Sequence, residues 1–397
     1  MREDARVSDF LFQASVTTWQ AYNYWPRDWY PNTDWRAGRS LYTGPPSEPA
    51  SWGPEIPEGH VNGRQARAVS FNRPYAADNN SPYYTAGQFF IRGEYNMVRW
   101  MEKEGYDVTY TTDVDTDAAT DITNGPLSPG RHKVFLSVGH DEYWSWQMRD
   151  NLEQARNRSS QPLNVGWFGA NNSHWQVRFA NSSPASGPGN EPRRTIITYK
   201  QLATSIESDW RDPVYSPGGS STNYLTTGLW RDNRTFCVGC SQPAPAPYKA
   251  PEDELVGVMT NLDNPTGRGD FEFAGSCPDW VTENVDISTP FAALVGYEAD
   301  QYYPLNIYPG RAETTVISDS DFPGKSISTQ SHAVYYRMNA GARVFAAGTI
   351  EWGLGLDGFG GDVQWGPAIH VNYHDPRVGV TTANILVCLR DGGAACI

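Results

Sequence analysis

The amino-acid sequence predicts an α/β protein, a mostly parallel sheet sandwiched between helices and interrupted by a loop- and strand-rich insertion. Apolar runs of strand length alternate with amphipathic helical text from Phe89 to Phe168, the pattern of right-handed βαβ units. The same text resumes after residue 330, beyond a stretch rich in Pro, Gly, Ser, Asn and Asp. Between them stands Val134-Phe-Leu-Ser-Val-Gly-His-Asp-Glu-Tyr-Trp-Ser-Trp146, which reads as a buried central strand, a tight polar turn and a helix start. Open parallel sheets place ligand chemistry beyond the carboxyl ends of their strands. The turn Gly139 to Tyr143 belongs there, and its side chains His140, Asp141, Glu142 and Tyr143 have no packing duty in such a loop.

The first sixty residues are aromatic and irregular. Asp9 to Val16 reads as one short strand, followed by Thr18-Trp-Gln-Ala-Tyr-Asn-Tyr-Trp25 and then Trp29, Tyr30 and Trp35. Residues 44–58 are rich in Pro, Gly and Ser and read as a surface loop. A strand at Ala68 to Phe71 precedes a long loop to Gln88. Glu94 to Glu104 is helical, with Met97, Val98 and Met101 as its apolar positions and Gly105 at the C′ position. Asp107 to Thr112 alternates as a strand. After the central strand, Ser145 to Asn157 carries Met148, Leu152 and Ala155 on one helical face, and Leu163 to Phe168 is a further apolar strand ending in Gly169-Ala-Asn-Asn172.

The expected organisation is one composite domain: an aromatic segment over 1–60, an α/β core over 61–180 and 286–397, and an insertion over 181–285. The insertion holds only short apolar runs such as Leu255 to Met259. In the second core segment, Ala333 to Arg337 and Arg343 to Gly348 predict a hairpin around Asn339-Ala-Gly341, and Thr382 to Arg390 the closing helix. The aromatic segment and the insertion should together shape the mouth of the crevice above the polar turn.

Composition excludes some classes. The chain has 397 residues, 45 acidic and 31 basic, for a net charge of −14. Without a basic run it lacks the phosphate-binding surface of a nucleic-acid protein. No apolar stretch approaches the ~18 residues of a membrane span. No apolar run follows Met1-Arg-Glu-Asp-Ala-Arg6, so no signal peptide is visible. A cytoplasmic chain and a secreted one with its leader removed both remain compatible, and the oligomeric state is open. Fifteen Trp and 22 Tyr beside 37 Gly and 29 Pro fit a loop-rich protein with aromatic-lined clefts. Cys237 and Cys240 form a lone CxxC with no second pair to complete a zinc site. Cys388 and Cys396 could reach each other, which leaves Cys277 over.

A resemblance rests on Thr17-Thr-Trp-Gln-Ala-Tyr-Asn23, Gly93-Glu-Tyr-Asn-Met-Val-Arg-Trp100 and Gly139-His-Asp-Glu-Tyr-Trp144. Phe168-Gly-Ala-Asn171, Gly228-Leu-Trp-Arg231 and Phe345-Ala-Ala-Gly-Thr-Ile-Glu-Trp352 add to it. In these pieces, which span nearly the whole chain in order, it resembles the C-terminal domain of the large subunit of N,N-dimethylformamidase. The resemblance implies a class I glutamine amidotransferase-like, flavodoxin-like sandwich. Glutaminase chemistry is not implied, since no cysteine stands in the Gly139 to Tyr143 turn. It also implies hydrolysis of small N-substituted amides at a mononuclear iron held by two tyrosines and one glutamate, with Tyr95 and Tyr143 at the matching tyrosine positions. The glutamate would precede the Gly228-Leu-Trp-Arg231 match. Between Pro213 and Gly228 the chain has no acidic residue, and the nearest one before that stretch is Asp212.

Each candidate has a structural reading beside the functional one. A phenol titrates near ~10 in water, so Tyr95 and Tyr143 would need a strongly Lewis-acidic cation to ionise at neutral pH. Otherwise they are half-buried tyrosines with hydrogen-bonded hydroxyls. His140 and Glu142 could bind metal, orient water or transfer protons, or they could cap the following helix. Glu351, just past a core strand, is the candidate general acid or base, and its alternative is a carboxylate paired with an arginine. Asn171, Asn172 and His174 end the next strand and could contact substrate. Trp144, Trp175, Trp19 and Trp25 would line the pocket or pack the core. Two functions follow. One is an iron-dependent hydrolase acting on a C–N bond of a small or medium amide. The other is a non-catalytic secreted or surface protein that holds a sugar, peptide or protein partner in the same aromatic crevice.

Overall fold

The computed structural model describes residues 6–23, 25, 40–42, 66–75, 89–119, 125–182, 189–205, 211–232, 249–260, 267–296, 298–323, 328–359 and 373–396. Trp29, Trp35, the Pro-rich stretch 44–58 and the Cys237–Cys240 pair lie outside them. Seven strands form the main sheet: β1 (Ser8–Ala14), β2 (Val108–Thr112), β3 (His132–Gly139), β4 (Asn164–Gly169), β5 (Thr315–Pro323), β6 (Ser328–Arg337) and β7 (Arg343–Ala346). Five of them pair in parallel in the order β7, β4, β3, β1, β2, and β6 and β5 add an antiparallel edge beside β7. The chain therefore is mixed α/β with a large, mostly parallel sheet. Because β1 pairs with β2 on one side and β3 on the other, the winding direction reverses between β1 and β3. Crevices open at that point in such sheets.

Alternation along β1 sends side chains to both faces. Phe10 and Phe12 join an apolar cluster with Met97, Trp100 and Met101 of helix α1 (Tyr95–Lys103). Leu11 joins a second cluster with Phe135, Trp167, and Met148 and Leu152 of helix α2 (Trp146–Asn157). Ile385 and Leu389 of helix α3 (Pro376–Asp391) complete the first. Burial on both faces is why these strands read as continuous apolar runs. Local chemistry sets the helix ends. The Ser145 hydroxyl accepts the Met148 N–H at 3.0 Å to cap α2, and Pro376 starts α3 behind an Asp375 cap.

The hairpin pairs β6 with β7 from Val334 opposite Ala346 to Arg337 opposite Arg343. Cys388 and Cys396 form a disulfide, and Cys277 is free. Two local expectations change. A π-helical turn, Phe90–Glu94, leads into α1, so Glu94 is not its first α-helical residue. The polar turn also does not pass directly into α2. Tyr143–Ser145 forms a short strand parallel to Trp175–Ala180, which continues through Thr195–Ile197 to Ala68–Ser70 as a second, four-stranded sheet. Three residues are too few to show a period of two in the sequence. Among the described residues no helix is long and apolar enough to cross a membrane.

The two strand ends beneath the turn touch through glycines. Gly139 has φ +76°, and a Cβ on Gly169 would stand 2.2 Å from the Gly139 carbonyl oxygen. Gly169→Ala should therefore force the β3 and β4 ends apart and destabilise the protein by about 1–3 kcal/mol or more. Urea unfolding should show this as a lower midpoint at unchanged slope. An unaltered midpoint would mean that the ends are not in such close contact.

Candidate functional site

A short helix, Val16–Ala21, leaves the carboxyl end of β1 and is clamped to the polar turn. The Thr17 hydroxyl and backbone N–H both donate to Asp113 Oδ2 at 2.8 Å, and the hydroxyl also lies 2.9 Å from the Tyr143 carbonyl. The Thr18 hydroxyl accepts the Glu142 N–H at 3.1 Å. From below, Gln13 of β1 and Ser137 of β3 each donate to the buried Asp141 carboxylate at 2.8 Å. Both neighbours of the switch point thus fix the backbone that carries Glu142.

Tyr22, just past that short helix, meets Tyr42 and Tyr143 around this carboxylate. The Tyr22 and Tyr42 hydroxyls are 2.6 Å apart, and the Tyr143 hydroxyl donates to that of Tyr42 at 2.5 Å. Tyr42 reaches both Glu142 oxygens at 3.0 Å, and Tyr22 reaches Oε2 at 3.0 Å. The Tyr22 and Tyr42 rings stack with centroids 4.3 Å apart. Burial first, and then the Glu142 charge, push all three phenols well above their ordinary pKa. They are neutral hydrogen-bonding groups unless a cation joins them.

His140 lies beside this cluster, its Nε2 2.9 Å from Glu298 and 3.5 Å from Glu142. Burial alone would lower the imidazole, but the two carboxylates outweigh it and lift it to about 9. The same pairing holds Glu298 below the usual carboxylate range against its burial. Asn171 donates to Glu298 at 2.8 Å. On the other flank the Lys200 ammonium sits 3.2 Å from the centre of the Tyr42 ring, 5.1 Å from that of Tyr143 and 5.3 Å from that of Trp175. Its Nζ is buried without a hydrogen-bond partner among the described residues, its backbone takes φ +48°, and burial pushes it down to about 7. A cation over a phenol face favours negative charge on that ring.

The sequence candidates distribute unevenly. His140, Glu142, Tyr143 and Asn171 come together. Tyr95 packs instead against Phe90 and Phe359, at 5.5 and 5.0 Å, with Arg99 over its ring. Among the described residues no hydrogen bond or ring contact joins it to Tyr143. Its neighbour Glu94 is the one turned inward, taking the Trp19 indole N–H at 2.8 Å. Glu351 is buried against Arg268, the ion-paired alternative. Trp144 lies in the core between Phe135 and Trp167, because its strand position faces the second apolar cluster. Trp175 flanks Lys200, Trp25 is partly exposed, and His174 turns to Glu252. Asn172 is buried, and among the described residues neither end of its amide is bonded. Sequence reasoning missed Tyr22, Tyr42, Glu298 and Lys200. Only Tyr22 had a signal, its place within Thr17 to Asn23.

The donor set suits a hard cation in kind. Among the described residues no group of three or more His, Cys, Asp or Glu side chains could hold a metal ion, so any ion here leans on phenol oxygens. Tyr22, Tyr42 and Glu142 present oxygens 2.6 to 3.0 Å from one another, the spacing of ligands that each stand about 2 Å from one ion. No curated protein matches the chain. A family model does, over residues 1–367, and its extent takes in every residue of this cluster. The chain thus belongs to the family described as N,N-dimethylformamidase beta subunit-like, C-terminal.

Proposed function

We propose that this chain hydrolyses the C–N bond of a small or medium linear amide, with iron held by Tyr22, Tyr42 and Glu142. The observation that carries the reading is the convergence of two phenol oxygens and one carboxylate beside the ion-paired His140 and Glu298. The family's two-tyrosine, one-glutamate set is then met by Tyr22 and Tyr42, with Tyr143 supporting Tyr42 and Tyr95 outside it. Iron bound there would supply Lewis acidity toward an amide carbonyl. Lys200 favours charge on Tyr42, and Asn171 fixes Glu298. His140, held between carboxylates, carries a proton that can be given to a departing nitrogen. Glu351, tied to Arg268, is not needed for that transfer.

The strand order supports the finer fold reading. Numbered along the chain, the five parallel strands run 2-1-3-4-5, the order of flavodoxin-like sheets. We read the fold accordingly as class I glutamine amidotransferase-like, with residues 181–285 part of the same composite domain. Contacts running from Tyr75 through Trp19, Phe90 and Tyr95 to Phe359 favour a second reading, a sugar or peptide bound along an aromatic crevice. Metal analysis of the purified protein decides between them. About one iron per chain, a visible phenolate-to-iron absorption band and turnover of N,N-dimethylformamide or longer N-substituted amides are expected. Folded protein that takes up no iron would sink the hydrolase reading.

A further inference from the structure

A row of aromatic rings leaves the proposed iron site and runs to the surface. It starts from two consecutive residues whose rings have different neighbours. The Phe89 ring packs 4.6 Å from Tyr22 and 5.6 Å from His140, and the Phe90 ring packs 5.4 Å from Trp19 and 5.5 Å from Tyr95. Tyr75 lies beyond Trp19 at 6.4 Å, and Phe359 beyond Tyr95 at 5.0 Å. Phe89 is buried, Trp19, Phe90 and Tyr95 are half-buried, and Tyr75 and Phe359 are 39% and 41% exposed, so the row opens outward from the site. Its backbone is fixed. Phe90 begins the π-helical turn, a geometry found frequently at functional sites. That turn packs on Gly139, where a Cβ would stand 3.1 Å from the Gly93 carbonyl carbon, and on Gly353, where one would stand 3.0 Å from the Gly93 oxygen. The Asn96 amide donates to the Asp357 and Phe359 carbonyls at 2.8 and 3.0 Å and holds the outer end.

Resting on the hydrolase reading above, we propose that this row is a subsite for an aromatic group carried by the nitrogen of the amide substrate. In that reading His140 faces the departing nitrogen, and Phe89 is a ring against His140, so the row begins on the leaving-group side. The favoured substrates are then linear amides with an arylalkyl chain on nitrogen. A stem of roughly three carbons carries the ring past Phe89 to Phe90, since consecutive Cα atoms stand ~3.8 Å apart. The chemistry of the row selects a neutral ring. The Trp19 indole N–H is taken by Glu94, so that residue offers its face and not a donor. Successive rings meet at 49° to 80°, so none lies flat over its neighbour's face. Arg99 lies over Phe359 at 5.0 Å, and Asp357 Oδ1 at 3.0 Å balances its charge, which leaves the outer end without a pull on anions. A sugar would instead need placed donors and acceptors for its hydroxyls.

The test gives the full chain, loaded with iron, N-(3-phenylpropyl)formamide and N-propylformamide, which share a stem and differ by the ring. Wild-type kcat/KM should be about tenfold or more higher for the phenyl compound, because the ring leaves water and gains edge and face contacts. Phe90→Ala and Phe359→Ala should each lower that ratio by about threefold or more at unchanged iron content. Phe359→Ala changes an exposed side chain, which keeps the proposal testable if Phe90→Ala fails to fold. Tyr95→Phe keeps its ring and should keep the ratio. A wild-type ratio within about twofold of one, or a ratio that neither alanine variant lowers, would overturn the subsite and leave the hydrolase reading standing. Inhibition of N-propylformamide turnover by a gluco-oligosaccharide and not by 3-phenylpropanol would give the row to a sugar and overturn the proposal as well. Iron-loaded wild-type protein that turns over neither formamide would overturn the hydrolase reading itself, and this proposal with it.

Discussion

Glu142→Gln protein should purify without stoichiometric iron and without amide turnover, while Tyr95→Phe should match the parent in both. Glu142 is the common acceptor of the cluster, within 3.0 Å of both Tyr22 and Tyr42. Losing even an outer partner of a metal ligand costs about 10–100-fold in affinity, so losing the carboxylate itself should exceed that. Tyr22→Phe and Tyr42→Phe should each weaken iron binding and shift the visible band, because each removes one phenol oxygen. Tyr95 lies among Phe90, Phe359 and Arg99, so the hydroxyl removed by its substitution is not one of the cluster's oxygens. Metal content and the absorption spectrum of the four variants check the set. A band that survives Tyr42→Phe but vanishes in Tyr95→Phe would return the assignment to the pair the sequence motifs pointed to.

Asp300→Asn should stabilise the protein above neutral pH and do little below pH 4. Asp300 is fully buried, and burial raises its carboxyl to about 7, only partly offset by the Asn171 N–H and Arg231. The folded pKa lies above the unfolded one, near ~3.9, so the protonated form is the one that folding favours. Its contribution is complete below the unfolded value and is lost as pH rises through about 7. Ionising this group in place therefore costs the wild type up to about 4 kcal/mol relative to a neutral isostere, at ~1.4 kcal/mol per pKa unit. Asparagine keeps the oxygen that accepts the Asn171 N–H. Urea unfolding of both proteins between pH 4 and 8.5 should show the gap opening with pH. A gap that does not vary with pH would mean that Asp300 is ionised at no such cost.

The sequence by itself determined the alternating core. The apolar runs at Val134 to Val138 and Leu163 to Phe168 became β3 and β4, and Met148, Leu152 and Ala155 became the buried face of α2. Such patterns are local: a strand buried on both faces and a one-sided helix each leave a period in a dozen residues. The polar turn was legible for the same reason, as was the β6–β7 hairpin, whereas the Cys388–Cys396 pairing was open in the sequence and only the structure shows it. The membership of the candidate site was legible only in part. Tyr22 and Tyr42 stand 120 and 100 positions from Glu142, in loop text with no period, and Glu298 and Lys200 come from separate irregular segments. At the Gly-Glu-Tyr motif the π-helical turn before α1 points Glu94 inward and leaves Tyr95 against Phe359, an orientation that the motif's spacing does not reveal. Only the tertiary structure decided these convergences, because what brings them together is how long loops lie across the strand ends at the switch point, and side-chain contacts across such separations leave no trace in local spacing.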